Sequence, residues 1–488
     1  MSRYYKIGAA MLVVLAVIVS YNTFQVPPPA PVDAAVPMPP VDQDAVAQRL
    51  AGAVRIATVS YTDRTLIDNS QLDAFAAYLQ KSFPRVDAAL TREVVNGHSL
   101  LYTWTGKDPA AKPLLFLAHM DVVPVEPAAL AQWTHPPFSG DIADGYIWGR
   151  GTLDDKGSLM AWMEAAEQLL AAGFQPGRTI YFAFGADEEI GGAQGAAQIA
   201  TLLRSRGVHA EFALDEGGVI TQGVVDGVSR PVASIMAAEK GYVSFRLTAH
   251  APGGHSSMPP QDSAIARLAH ALVLLQNRPM PARLESPVTD MLDRLTPEMP
   301  RLQRIIMANR WLTRPLIVHR MSESAVGNAL VRTTTALTQF QAGIKDNVLP
   351  GSASAVVNFR LLPGNTIEQV EHHVRLAIAD DGIDIAREGD FAEEASPVSD
   401  IQAPAFKQLA KTVNEIFPQA VVTTGIVVGA TDLRHYAGLY DNRYNFLPNL
   451  YTPDDLPRIH GSNERISVSG YADMIRFYMR LLHNAAGA

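Results

Sequence analysis

Three short apolar runs in the first half of the chain each stop on acids or on histidine. "PLLFLAHMD" ends in His119 and Asp121, "YFAFGADEE" in Asp187, Glu188 and Glu189, and "AEFALDE" in Asp215 and Glu216. Runs this short and this apolar read as strands buried on both faces. Segments of helical period, Gly157 to Ala172 and Ala193 to Arg206, lie between them. The alternation predicts an α/β fold: a mostly parallel sheet covered by helices. In such open sheets, ligands bind beyond the carboxyl ends of the strands, so the acids and the histidine converge on one crevice. Burying unpaired carboxylates is costly, and crowded like charges raise each other's pKa. The crevice therefore needs water, an arginine or a cation.

The chain contains no cysteine, which excludes disulfides and thiolate metal sites. Any metal must be held by His, Asp and Glu. At 488 residues the chain is too long for one ordinary core. Net charge is −9 with no basic block, which argues against a nucleic-acid partner. The texture changes near Glu239. "KGYVSFRLTAH" and "SASAVVNFRLL" alternate as strands with one open face, and each is followed by a helical stretch. This predicts a small α+β domain, an open-faced antiparallel sheet plus helices, at residues 240–395. It interrupts a larger domain formed by 42–239 and 396–488. Within it, residues 280–338 read as a long, partly helical insertion.

The N-terminus stands apart. Arg3 and Lys6 precede the unbroken apolar run Ile7 to Val19. That pattern matches an export signal. The run covers about 20 Å, short of a bilayer core of about 30 Å, but the uncharged stretch continues to Pro31. The expectation is an exported protein, periplasmic or extracellular, with residues 1–26 as a signal peptide or as an uncleaved signal anchor in contact with the membrane. The Pro- and Ala-rich stretch 27–41 reads as an extended linker.

His119 and Asp121 sit two apart, so on a strand they face the same side. Asp121 can then accept a hydrogen bond from the ring nitrogen that His119 does not offer to a metal. "GRGTLDDKG" adds Asp154 and Asp155 just before a helix. Rival motifs fail on order: "DDKGS" has Lys before Gly and is no P-loop, and no G-x-S-x-G elbow is present.

"HMDVVP", "GRGTLDDKG", "ADEEIGG", "LDEGG" and "IHGSNE" resemble the metal-site motifs of the aminoacylase and carboxypeptidase family of co-catalytic zinc peptidases. "GGHSSMPP" and "NVLPGSASAVVNFRLLPG" resemble motifs of that family's lid domain. The likeness runs from Asp42 to the C-terminus and is nearest to the branch of carboxypeptidase S and secreted N-acyl-amino-acid amidohydrolases. The resemblance implies two Zn2+ per subunit, with Co2+ or Mn2+ as alternative divalent ions. It implies that His119 and Asp215 bind one ion, Glu189 and His460 the other, and that Asp154 bridges them. It further implies that Asp121 supports His119, that Glu188 is the general base, and that the Asp154–Asp155 peptide is cis. Asp187 is left as a structural acid.

In the resembled family, lid residues hold the scissile carbonyl and the substrate's carboxylate. Here these would be His255, Asn347 and Arg360, with Arg434 in "GATDLRH" as a second carboxylate contact. A guanidinium suits a bidentate carboxylate contact, and His255 could donate to a developing oxyanion. The implied substrate is an N-acyl amino acid or short peptide with a free carboxylate. The implied reaction is hydrolysis of the adjacent amide. A dipeptidase is the near alternative, and a tethered binding protein on a non-catalytic scaffold is the alternative of another class. The intact ligand set argues against the last. Lids of this family often dimerise, so the lid is also the expected surface of a homodimer.

Overall fold

The computed structural model describes residues 2–32, 37, 40–389 and 391–487. Much of the 27–41 linker, at 33–36 and 38–39, lies outside these residues. The three apolar runs form strands Leu114–His119, Ile180–Gly185 and Ala210–Asp215. They lie side by side and parallel, with Phe116 opposite both Phe182 and Leu214. His119 is level with Gly185, so the strands finish together and deliver their terminal acids to one edge.

These strands occupy the middle of a ten-stranded mixed sheet. Thr91–Val95 and Ser99–Trp104 add an antiparallel hairpin at one side. On the other side Tyr440–Asn445 runs parallel to Ala210–Asp215, bringing Asn445 level with Asp215. Val232–Glu239 and Val421–Val427 continue the sheet as a parallel pair. Alternation along each strand fills two cores. Phe116 and Phe182 face helices Lys156–Ala171 and Val468–Ala486. Leu115, Leu117 and Ala183 face helix Ala196–Ser205.

Trp162 anchors the first core. It stacks on Tyr478 with ring centroids 3.7 Å apart and on Phe116 at 4.3 Å. It is 1% exposed, so truncation leaves a cavity that the two flanking rings cannot close. Trp162→Ala is expected to destabilise the larger domain by about 3–5 kcal/mol, read as a lower midpoint in urea unfolding. A loss below about 1 kcal/mol would show that the site collapses freely.

The second sheet has four antiparallel strands, ordered Thr334–Ala342, Ser352–Leu361, Gly241–His250 and Ile383–Arg387. Helices Ala264–Asn277 and Ile367–Ile378 cover one face, burying Val243, Phe245, Val357 and Phe359. The strand beginning at Gly241 follows directly on Glu239, so the larger sheet passes into the smaller one within two residues. The insertion is more helical than its sequence suggests. It forms Val288–Leu295, Arg301–Ala308, Arg310–Ser322 and Ala325–Val331. Val288, Leu292 and Ile317 form a separate core with Ile426 of the larger sheet.

The N-terminal helix is longer than its unbroken apolar run. It spans Ser2–Phe24, and its apolar window Tyr4–Phe24 has 21 residues and none of it buried. At about 1.5 Å per residue that window covers roughly 32 Å, the thickness of a hydrocarbon core. The flanking tyrosines and Asn22 interrupt the apolar run without interrupting the helix.

Candidate metal centre

The site is built where the three parallel strands stop. His119, the last residue of its strand, is buried and points its ring at carboxylates on both sides. Its Nδ1 lies 2.9 Å from the Asp121 carbonyl oxygen and 3.4 Å from Asp121 Oδ1. That contact leaves Nε2 for the crevice. Nε2 lies 2.9 Å from Asp154 Oδ1 and 3.4 Å from Glu216 Oε1. Asp154 turns its other oxygen to His460, whose Nε2 is 2.9 Å from Asp154 Oδ2 and 3.3 Å from Glu189 Oε2. Two triads therefore share Asp154: His119, Asp154 and Glu216 on one side, and Asp154, Glu189 and His460 on the other.

One expected ligand, Asp215, falls outside the two triads. The structure turns Glu216, not Asp215, toward His119. Successive residues at a strand end point to opposite sides. Both Asp215 oxygens are engaged elsewhere, accepting from the backbone N–H of Glu216 at 2.9 Å and of Leu433 at 3.0 Å. Asp215 thus ties the strand end to the loop after Thr431, and its neighbour takes the crevice position.

Asp121 is bonded twice over to the acidic turn. Its two oxygens accept from the N–H groups of Glu188 and Glu189, at 3.1 and 3.2 Å. Asp187 is neutralised by structure: Arg64 donates to it at 2.8 Å, and the N–H groups of Gln194 and Gly195 donate at 3.0 and 2.7 Å. Gly192, at φ +67°, closes this turn. A Cβ there would stand 2.2 Å from Asp432 Oδ1. The Glu188 carboxylate accepts no hydrogen bond from a described side chain.

Two residues that carry the geometry had no assigned role in the sequence, although both lie inside quoted motifs. Glu464 of "IHGSNE" and Arg150 of "GRGTLDDKG" form a buried ion pair at 2.6 Å. Glu464 Oε1 also accepts from the N–H groups of Gly151, Leu153 and Asp154. Arg150 Nη2 donates to the carbonyl oxygens of His460 and Gly461. The pair therefore clamps the Asp154 loop to the His460 loop, where His460 holds φ +59°. Asp155, beside the cis peptide that the family likeness implies, accepts from the N–H of His119.

The charge pattern tests whether divalent cations fit. Burial, with Asp154 beside it, pushes the Glu216 carboxyl up to about 8. Burial raises Glu188 well above the carboxylate range, with the negative Asp432, Glu216 and Glu189 adding to it. Asp154 and Glu189 pull His460 up to about 10. Without cations, the cluster relieves its negative excess only by holding protons. Glu189 Oε1 is buried with no hydrogen-bond partner among the described residues. Two imidazoles and several carboxylates, one oxygen orphaned, fit a pair of hard or borderline divalent cations.

The expected substrate residues fall into two places. Arg360 lies over the ring of Tyr242, its Cζ 4.7 Å from the centroid, and pairs with no carboxylate among the described residues. Burial lowers its pKa, and the neighbouring Arg434 guanidinium lowers it further. Arg434 lies against Phe391, with Nε 3.7 Å from Glu393. The two guanidinium groups are thus close enough for each to feel the other's charge. His255 and Asn347 are brought together on an exposed hairpin of the smaller domain, where Ser256 N–H donates to Asn347 O and His255 pairs with Val348. Neither side chain touches the carboxylate cluster.

An α/β sheet edge where two histidines and three acids meet, with a lid sheet beside it, is the architecture of a metallohydrolase. The chain belongs to the M20 peptidases: the model of peptidase family M20/M25/M40 matches residues 115–484. It is 41% identical over 443 residues to the probable carboxypeptidase S-like 2 of Dictyostelium discoideum, covering 90% of this chain and 85% of that one. It is 40% identical over 442 residues to the N-fatty-acyl-amino acid synthase/hydrolase PM20D1 of Xenopus tropicalis, with 90% and 85% covered. Among solved structures it resembles the M20 metallo-carboxypeptidase Sso-CP2 of Sulfolobus solfataricus, at TM-score 0.65 and 19% identity over 90% of this chain and 98% of that one.

Proposed function

We propose that the protein hydrolyses the amide bond of N-acyl amino acids, or the C-terminal peptide bond of small peptides, using two Zn2+ ions. The observation that carries this reading is the pair of triads joined through Asp154. His119, Asp154 and Glu216 would hold one ion, and Asp154, Glu189 and His460 the other. When bound, the ions supply Lewis acidity to the scissile carbonyl and acidify water near neutral pH. Asp121 keeps the His119 ring oriented by holding Nδ1. Glu188 takes a proton from the attacking water and hands it to the leaving nitrogen. The carbon–oxygen bond forms, the carbon–nitrogen bond breaks, and a carboxylate and an amine leave.

Arg360 and Arg434 supply positive charge for the substrate's free carboxylate. Arg360→Ala is expected to raise KM about tenfold to a hundredfold for acylated amino acids, with little effect on the matching primary amides, which lack that charge. An equal effect on both would remove Arg360 from carboxylate recognition. His255 and Asn347 would reach the scissile carbonyl by closure of their own lid or from the lid of a second copy. The apolar helix Ser2–Phe24 would anchor an exported protein outside the cytoplasm.

The direct test measures zinc-dependent rates on N-acyl amino acids, with dipeptides bearing free amines beside them. Faster cleavage of acylated substrates supports this reading. A preference for free dipeptides moves the protein to the dipeptidases of the same family. No turnover of either class by protein loaded with two ions leaves a binding scaffold.

A further inference from the structure

The insertion helices Arg301–Ala308 and Arg310–Ser322 carry a surface that neither the sheet core nor the site uses. Leu302 is 70% exposed, and Trp311, Leu312 and Leu316 are each close to half exposed or more. Between Glu298 and Glu323 the chain has Arg301, Arg304, Arg310, Arg314 and Arg320 and no acid, in a protein of net charge −9. Apolar residues separate these arginines, so they form no basic block in the sequence. Folding places them on two short helices that meet at Asn309. Arg310 is tied to Asp293 and Arg304 to backbone carbonyls. Arg301, Arg314 and Arg320 are exposed, although Arg314 also donates to Leu284 O at 3.0 Å and Arg320 pairs with Glu323 at 2.6 Å.

This surface adjoins the N-terminal helix. Asn309, between the two insertion helices, is buried and accepts from Asn22 Nδ2 at 3.1 Å. Its own Nδ2 donates to Val19 O and Thr23 Oγ1, each at 3.3 Å. The contact lies at the C-terminal end of the apolar window Tyr4–Phe24. An anchor that crosses a bilayer leaves it near this end, so Asn309 stands at the water boundary. Exposed Leu and Trp among arginines are the composition of a helix lying in a membrane interface.

We propose that helices Arg301–Ala308 and Arg310–Ser322 form a docking surface for an anionic phospholipid bilayer, seated on the membrane that holds the anchor. The proposal rests on the anchor reading above. Leu302, Trp311, Leu312 and Leu316 enter the boundary between headgroups and acyl chains, and Arg301, Arg314 and Arg320 meet lipid phosphates. The insertion packs on the catalytic sheet through Ile426, so docking also fixes how the catalytic domain stands on the membrane.

Trp311 makes the test direct. It is 57% exposed, whereas Trp104, Trp133, Trp148 and Trp162 are at most 9% exposed. The full chain would be reconstituted into phosphatidylglycerol vesicles carrying brominated acyl chains, and into brominated phosphatidylcholine vesicles. Flotation reads the anchor, and tryptophan quenching reads the docking surface. The expected result is flotation in both lipids, stronger quenching in phosphatidylglycerol, and loss of that quenching in Trp311→Phe. A triple change of Arg301, Arg314 and Arg320 to Gln should float normally and lose the difference between lipids. Flotation without Trp311 quenching overturns the docking surface and leaves the anchor standing. Failure to float overturns both. Unquenched Trp311 together with the mass of a dimer would assign the surface to a second copy.

Discussion

Glu188→Gln is expected to bind as much zinc per chain as the parent and to turn over N-acyl amino acids about two to four orders of magnitude more slowly. The metal content should survive because the Glu188 carboxylate belongs to neither triad. Its link to the site is a backbone one, N–H to Asp121 Oδ1, and an amide side chain leaves that bond in place. Only the ability to accept and return a proton is removed. The measurement pairs metal analysis with kcat under saturating substrate. Full turnover with both ions present would rule out Glu188 as the base. Loss of one ion would make it a ligand instead.

The second large effect separates two adjacent acids. Glu216→Gln is expected to lose the ion on the His119 side and nearly all activity, because it removes the charge facing Nε2 at 3.4 Å. Loss of one ligand charge should weaken that ion at least tenfold, judging from the tenfold to hundredfold cost of removing a supporting partner alone. Asp215→Asn is expected to keep two ions and to lose stability, since one of its two accepted N–H bonds, from Glu216 or Leu433, is weakened. Metal stoichiometry of the two variants decides the matter. One ion in Asp215→Asn and two in Glu216→Gln would return the ligand role to Asp215.

These neighbouring acids mark how far the sequence could be read. The strand ends were legible because a parallel strand buried on both faces shows as an apolar run, and its first polar residues announce where it stops. His119, Asp154, Glu189 and His460 were legible as a group through the family's motifs. Which of Asp215 and Glu216 turns inward was not, because it depends on which carboxylate the loop at Leu433 captures. The same limit hid the Arg150–Glu464 clamp: each partner is visible, but their pairing is a contact across more than 300 residues of chain. His255 and Asn347 show a different limit. Their shared hairpin is local and readable, while its place relative to the carboxylate cluster depends on how the smaller domain sits, which is not local in sequence. The insertion reads as only partly helical because its helices are short and broken at Pro300, Asn309 and Ser324.

The smaller domain interrupts the larger one, and this sets an order on synthesis. His119, Asp154, Glu189 and Glu216 are made before the interruption, and His460 and Glu464 after it. Strand Tyr440–Asn445, which sits between Ala210–Asp215 and Val232–Glu239, is also made late. A nascent chain that has completed the lid still has a gap in its central sheet and only one imidazole at the metal edge. In the proposed site, the second imidazole thus arrives with the last segment to emerge, and a chain stalled in synthesis carries only part of the metal centre.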